Sequence, residues 1–237
     1  MTSSSTKDWN QAHEWSKIDL STQSTFETYC PKSVFHLAHK SDHAFSFTIR
    51  EANGETFTFG LGVNPTIPET CNGVAIDRGE TFQGISDYEH KADWDSYEID
   101  TSSFTEEVKE VSLSDEDIHR LLTKNAPNSS VWPGDPELIC WMGERENQSL
   151  VCVGALVRWR SQRVMLVSIA TDEAHRGKGF AQLLVRKSLC KAHSLGIDRV
   201  GLGVVASNAP AKAVYERLGF RLIREFSRYA IRTDNCN

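Results

Sequence analysis

The stretch from Val167 to Ala181, V-S-I-A-T-D-E-A-H-R-G-K-G-F-A, restricts the fold more than any other part of the chain. A β-branched apolar run passes through a short polar turn into Arg176-Gly177-Lys178-Gly179, and a pattern with helical spacing follows. The order is strand, glycine loop, helix. The first turn of a helix leaves backbone N–H groups unpaired and carries the positive end of the macrodipole, so main-chain donors alone can hold an anion there. Gly177 and Gly179 remove the Cβ atoms that would keep a ligand at a distance, and Arg176 and Lys178 add charge suited to a pyrophosphate.

Spacing separates the phosphate loops that such a stretch can form. A P-loop needs Ser or Thr directly after its Gly-Lys and a further glycine six residues before the lysine; here those places hold Gly179 and Asp172. A G-x-G-x-x-A string occurs at Gly201 to Ala206, but inside an apolar strand-like run rather than at a strand-to-helix turn, where dinucleotide binding requires it.

Arg176 to Ala181 resembles instead the R/Q-x-x-G-x-G/A loop of the GNAT superfamily, the acyl-CoA-dependent N-acyltransferases. A second signature follows in order: Asn208 to Phe220, N-A-P-A-K-A-V-Y-E-R-L-G-F, is similar to the family's N-x-x-A-x-x-x-Y-x-x-x-G-F. The resemblance covers residues 108 to 232. It implies an α/β (α+β) fold with a mixed, mostly antiparallel sheet flanked by helices. It also implies acetyl-CoA or another acyl-CoA as co-substrate, no metal, and transfer of the acyl group to a primary amine on a small molecule, peptide or protein.

By that resemblance Arg176, Gly177, Lys178, Gly179, Phe180 and Ala181 hold the pyrophosphate, and Ile169, Ala170 and Thr171 end a splayed strand that pairs with the pantetheine arm. Asn208 is a cofactor-binding residue or a helix N-cap, and Tyr215 is the acid that protonates the leaving thiolate. Taken alone, a tyrosine on an amphipathic helix reads as a core residue with a wet hydroxyl. Many relatives place a glutamate base on the strand that here runs Val164 to Ala170, which contains no acid. Glu144, Glu146, Asp172, Glu173 and His175 are the remaining candidates, each also readable as a solvated surface group, and no base is assigned. The rival reading is a non-enzymatic acyl-CoA sensor or interaction module.

In chain order, Trp9 and Trp15 mark a helix or an arm that tucks its indoles inward. Ala44 to Leu61 alternates around Asn53-Gly54 as a hairpin with one buried aromatic face, and Gly73 to Ile76 forms a further strand. Asp87 to Asp117 holds twelve acids against Lys91 and Lys109, which reads as a solvated loop or linker. A boundary is placed there: residues 1–103 form a β-rich region or a degenerate half, and 104–237 the transferase domain. Ser114 caps a helix over Ile118, Leu121 and Leu122, and Asn125-Ala126-Pro127 stops it. Pro133-Gly134-Asp135-Pro136 forms a loop on the acceptor side. Strands follow from Leu138 to Trp141, Leu150 to Trp159, Arg163 to Ala170 and Arg199 to Val205.

The helix from Gly179 to Ser194 turns Phe180, Leu183, Leu184, Leu189 and Ala192 inward, and a second runs from Asn208 to Leu218. Phe220 to Ile231 supplies the last strand. The resemblance implies one more, and its place at the sheet edge is expected to be filled by the N-terminal part.

Residues 1–150 carry 11 Lys/Arg against 26 Asp/Glu, a balance of −15, while 151–237 carry 15 against 6, a balance of +9. The basic part fits docking onto acidic surface or attraction of a polyphosphate; without interleaved aromatics it does not suit nucleic acid. Six scattered cysteines, Cys30, Cys71, Cys140, Cys152, Cys190 and Cys236, lack metal-ligand spacing and read as buried thiols of a reducing compartment. With no apolar leader or span in the sequence, the expectation is a cytoplasmic protein without membrane partners, monomeric or homodimeric.

Overall fold

The structure, a computed structural model, describes residues 3–69, 71–109 and 111–232; expectations that fall on Met1, Thr2 and Cys236 lie outside them. The elements begin β1 (Ser4–Thr6), α1 (Trp9–Ser16), α2 (Leu20–Tyr29), β2 (Phe35–Lys40), β3 (Ala44–Arg50), β4 (Thr56–Gly62), β5 (Gly73–Asp77) and β6 (Tyr88–Asp100). They continue α3 (Asp115–Asn125), β7 (Leu138–Glu146), β8 (Ser149–Arg158), β9 (Val164–Thr171), α4 (Phe180–Ser194), β10 (Arg199–Val205), α5 (Ala209–Leu218) and β11 (Arg221–Ile231). Two compact units form: Met1–Ser96 with Val204–Asn208 and Leu222–Asn237, and Tyr97–Gly203 with Ala209–Arg221. The boundary expected near residue 104 lies inside the second unit.

In the first unit the strands run β1-β2-β3-β4-β5-β11, followed by the first part of β6. Asn53-Gly54 turns β3 into β4, with Gly54 at φ +88 where a side chain would be strained. Phe45, Phe47 and Phe59 meet Phe26 of α2 and Phe226 of β11 in an aromatic core, with Trp9 and Trp15 packed at its border. Trp9 Nε1 donates to Cys30 O at 3.0 Å, so that indole is satisfied as it turns inward. The hairpin's polar face is not solvated, contrary to the alternation in its sequence. Ser46, Thr48 and Thr58 are buried, Ser46 Oγ donates to Thr66 O at 2.6 Å, and the Thr48 and Thr58 hydroxyls lie 2.8 Å apart. β11 runs antiparallel to β5 from Phe226–Asp77 to Ala230–Gly73, so the N-terminal segment does flank the last strand.

The acidic stretch expected to be a solvated linker contains β6, the longest strand. Its acids are matched by partners distant in sequence: Asp95, fully buried, pairs with Arg78, and Asp93 accepts from Ser227 Oγ at 2.7 Å. In the second unit Glu98 lies 3.5 Å from Arg163 and 3.6 Å from Arg199. Compensated carboxylates can sit in a sheet; charge density alone did not reveal the compensation.

The second unit orders its strands as the last part of β6, then β10-β9-β8-β7. Ser114 Oγ accepts from Asp117 N at 3.1 Å to cap α3, and Asp115, Glu116 and Asp117 favour the positive end of its dipole. Ile118, Leu121 and Leu122 pack on Val153 and Ala170, each contributing about 2 kcal/mol by leaving water. α4 covers the other face, where Leu184 meets Met142 and Cys152. Leu183, expected inward, is 42% exposed; Leu184, four residues after Phe180, takes the core position. Cys30, Cys71, Cys152 and Cys190 are buried as expected, but Cys140 is only half-buried. Among the described residues no helix is long and apolar enough to cross a membrane.

Candidate functional site

In the second unit β9 and β10 are parallel neighbours, with Val164 opposite Val200 and Met165 opposite Gly201. The paired register ends there among the described residues, although β9 continues to Thr171. From Leu166 to Thr171 β9 therefore has no registered partner on the β10 side among the described residues, and an open strand edge is a template for another extended chain.

A bulge sits in this open segment. On the β8 side Val153 faces Ala170 and Ala155 faces Val167, so Ser168 and Ile169 together oppose Gly154. Ser168 has φ +52, the one non-glycine residue with positive φ inside a strand among the described residues. The extra residue reverses the side-chain alternation. Val167 packs with Val131, Ala155 and Met165, whereas Ile169 turns to the α4 face beside Phe180, Ala181 and Cys152. Gly154 makes this possible, since a Cβ there would come within 3.0 Å of Leu184 and 3.3 Å of Ile169.

β9 ends at Thr171, whose hydroxyl lies 3.1 Å from the Cys152 thiol, and the chain enters the glycine loop. Asp172 holds the loop's start: it accepts from Ala174 N at 3.0 Å and meets His175 Nδ1 and Lys124 Nζ, each at 3.0 Å. The Lys124 ammonium and then His175 depress its carboxyl to about 2. His175 Nε2 also lies 3.1 Å from Glu146. Arg176 Nε donates back to Thr171 O at 3.4 Å, and Lys178 lies 4.0 Å from Glu146. Gly177 at φ +76 and Gly179 at φ +86 take conformations that disfavour side chains, and a Cβ on either would meet nothing within 4 Å. Gly179 begins α4 without any side-chain cap, leaving the N–H groups of its first turn to solvent or a ligand.

Tyr215 on α5 is 6% exposed, with Phe220 and Tyr97 rings at 5.7 and 6.3 Å. Burial, with a smaller contribution from Cys152, raises its phenol to about 12, so it is a neutral donor at ordinary pH. Among the described residues no group hydrogen-bonds its hydroxyl, whereas the neighbouring Tyr97 hydroxyl donates to Glu216 Oε1 at 3.0 Å.

The second unit thus contains Ile169, Ala170, Thr171, the loop Arg176 to Gly179, Phe180, Ala181 and Tyr215. Asn208 belongs with the first unit, where its N–H donates to Val205 O at 2.9 Å. Glu144, readable as a surface acid, is buried, with Lys187 Nζ 2.8 and 2.9 Å from its two oxygens. The Ser168 bulge leaves little trace in the sequence, where the glycine at 154 inside the apolar run of β8 is the one sign of it.

Residues 94–220, more than half of the chain, match the family model described as Acetyltransferase (GNAT) family. The chain is 34% identical over 82 residues to an uncharacterized N-acetyltransferase, YvbK, of Bacillus subtilis (strain 168), covering 35% of this chain and 50% of that protein. To YsnE, another uncharacterized N-acetyltransferase of that organism, it is 29% identical over 126 residues, covering 50% and 83%. The match therefore spans half the length of the first of these relatives. Among solved structures, a GCN5-related N-acetyltransferase from Sphaerobacter thermophilus aligns with TM-score 0.54 at 13% identity, covering 87% of this chain and 83% of that one. One from Kribbella flavida aligns with TM-score 0.53 at 11% identity, covering 93% and 95%. These two share the fold.

Proposed function

Because the chain belongs to the acetyltransferase (GNAT) family, we propose that it is an N-acyltransferase that moves an acetyl or other acyl group from acyl-CoA directly to a primary amine on a small molecule, peptide or protein. The observation that carries this reading is the open edge of β9 leading into a glycine-led, uncapped helix start. Acyl-CoA supplies the thioester and its thiolate leaving group. The residues fit it. The edge around Ile169, Ala170 and Thr171 offers main-chain partners to pantetheine amides, and the space beside Gly177 and Gly179 lets a pyrophosphate reach the N–H groups of Phe180 and Ala181. Arg176 and Lys178 add positive charge.

Tyr215 donates its phenolic proton to the departing sulfur. Its high pKa and uncommitted hydroxyl suit a group that must be protonated when the carbon–sulfur bond breaks. No side chain is assigned as base. Asp172 is too weakly basic, and Glu144 is committed to Lys187. The amine then reacts as its neutral form, and the rate rises with pH toward the acceptor's own pKa. The test is release of free CoA from acetyl-CoA across a panel of amines and peptides. Amine-dependent release supports the reading; tight CoA binding with no release for any acceptor would assign the chain to sensing instead.

A further inference from the structure

Ser168 occupies an unusual backbone position for its type. The other non-glycine residues with positive φ among the described residues, Asn64, Asn147, Gln148 and Gln162, sit in turns, whereas Ser168 lies inside β9. Its side chain compensates. Ser168 Oγ accepts from Val131 N at 3.1 Å and donates to Val131 O at 2.9 Å, occupying both backbone polar groups of one residue, much as a paired strand would. Val131 is 5% exposed and packs with Ala155, Val157 and Met165 in the loop that follows α3. That loop continues through Trp132, whose indole stacks on His119 of α3 at 5.3 Å, into Pro133-Gly134-Asp135-Pro136.

The clamp lies where β9 has no partner strand on its β10 side, and the same bulge turns Ile169 and Thr171 toward α4. We infer that Ser168 is a positioning residue for acyl transfer, its hydroxyl locking the bulged edge of β9 to the loop after α3 so that the two keep a fixed register. The inference rests on the transferase reading above. A bulge held only by its backbone would relax toward a regular strand, which would return Ile169 to the opposite face and shift the edge available to the pantetheine arm. The hydroxyl opposes that slip at both ends of one peptide residue. It also ties the acceptor-side loop to the strand, so small displacements of either would be felt as misalignment of amine and thioester.

Two substitutions separate this role from mere stability. Ser168→Ala removes the hydroxyl and keeps a Cβ at positive φ, while Ser168→Gly removes the hydroxyl and relieves the strain. Both variants are expected to lose about tenfold in kcat, a modest part of what misplacement can cost, with Ser168→Gly melting no lower than Ser168→Ala. Amide hydrogen exchange in the apo protein should quicken at Val131 and Ile169 in both. If Ser168→Gly keeps full kcat, the residue matters only through strain and the inference fails. Unchanged exchange at Val131 in both variants overturns it as well, and needs no turnover to read. A wild-type protein that releases no CoA for any acceptor overturns the transferase reading, and the positioning role for catalysis with it.

Discussion

The two units place similar elements in similar succession and differ where a ligand would lie. In the first, helices α1 and α2 precede antiparallel strands β2, β3 and β4, and β5 then joins β4 in parallel; in the second, α3 precedes β7, β8 and β9, and β10 joins β9 in parallel. β3 and β4 pair through seven consecutive registers with no bulge, and β4 and β5 through four, from Phe57–Gly73 to Gly60–Ile76. A Cβ on Gly60 would lie 2.6 Å from the Pro65 ring, so space beside that strand is filled. In the second unit the bulge interrupts β9, its pairing with β10 covers two registers, and the connection carries a glycine loop and a helix, whereas no helix lies between β4 and β5 among the described residues. Strand order therefore sets the frame, and the second unit departs from the first by a shortened ladder, one inserted residue and an uncapped helix.

The strongest way to break this comparison is to express residues 104–237 alone. That piece lacks β6 and leaves β11 without β5, so it is expected to be insoluble or aggregated, as uncovered edges invite. A soluble, monomeric fragment with full CoA affinity, by calorimetry and light scattering, would make the N-terminal part a separate module.

Next in size is Gly179→Trp. The indole would enter the open space beside the first turn of α4, and CoA binding should be abolished, although an L-residue at φ +86 also costs about 1–2 kcal/mol of stability. Val63→Trp, in the corresponding connection of the first unit, should leave affinity unchanged, with one CoA per chain. Calorimetric titration reads both; equal losses would erase the distinction between the units.

Tyr215→Phe should lower kcat by about 10²-fold, at the lower end for a positioned acid, and leave CoA affinity within a factor of about two. The same residue carries a stability signature. Its folded pKa, about 12, exceeds that of an exposed tyrosine, so the native state keeps a proton that the unfolded chain loses first. Its contribution is complete below pH of about 10 and fades as pH rises toward about 12. Alkaline unfolding should be less steep in Tyr215→Phe than in wild type.

The sequence made the loop and the helix after it legible because their signals are local: two glycines, two cations and an apolar period. Tyr215 was legible through its spacing from Asn208 and Gly219 in a motif, not through its burial. What escaped notice depends on partners remote in the chain. β6 was hidden because Arg78, Ser227, Arg163 and Arg199, which match its acids, are not its sequence neighbours. Glu144 reads as solvated because its partner Lys187 lies two strands further on, in α4. Ser168 carried no sign, since serine in an apolar run reads as an ordinary strand position and the Val131 contact that permits its backbone is non-local.

The smallest expected effect is that of Asp172→Asn at the start of the glycine loop. Its depressed pKa means that the carboxylate stabilises the native state at pH above about 4 and loses that contribution as pH falls toward about 2. The difference in Tm between wild type and Asp172→Asn should be slight at neutral pH, because the pair is near the surface, and should vanish in acid. A difference that grows with acidity would contradict the assignment of Lys124 and His175 as its partners.

The pairing of β11 with β5 has a consequence for how the protein is made. Phe226 joins the aromatic core around Phe59, yet it emerges from the ribosome roughly 150 residues after Asp77, on the order of ten seconds later at ordinary elongation rates. Through that interval the newborn first unit has an unfilled slot beside β5 and phenylalanines exposed to their surroundings. Vectorial synthesis thus completes this unit late, and a sheet closed by partners so far apart in sequence folds slowly. A ribosome stalled before residue 220 would present an aggregation-prone nascent chain whose defect lies at the opposite end from the missing residues.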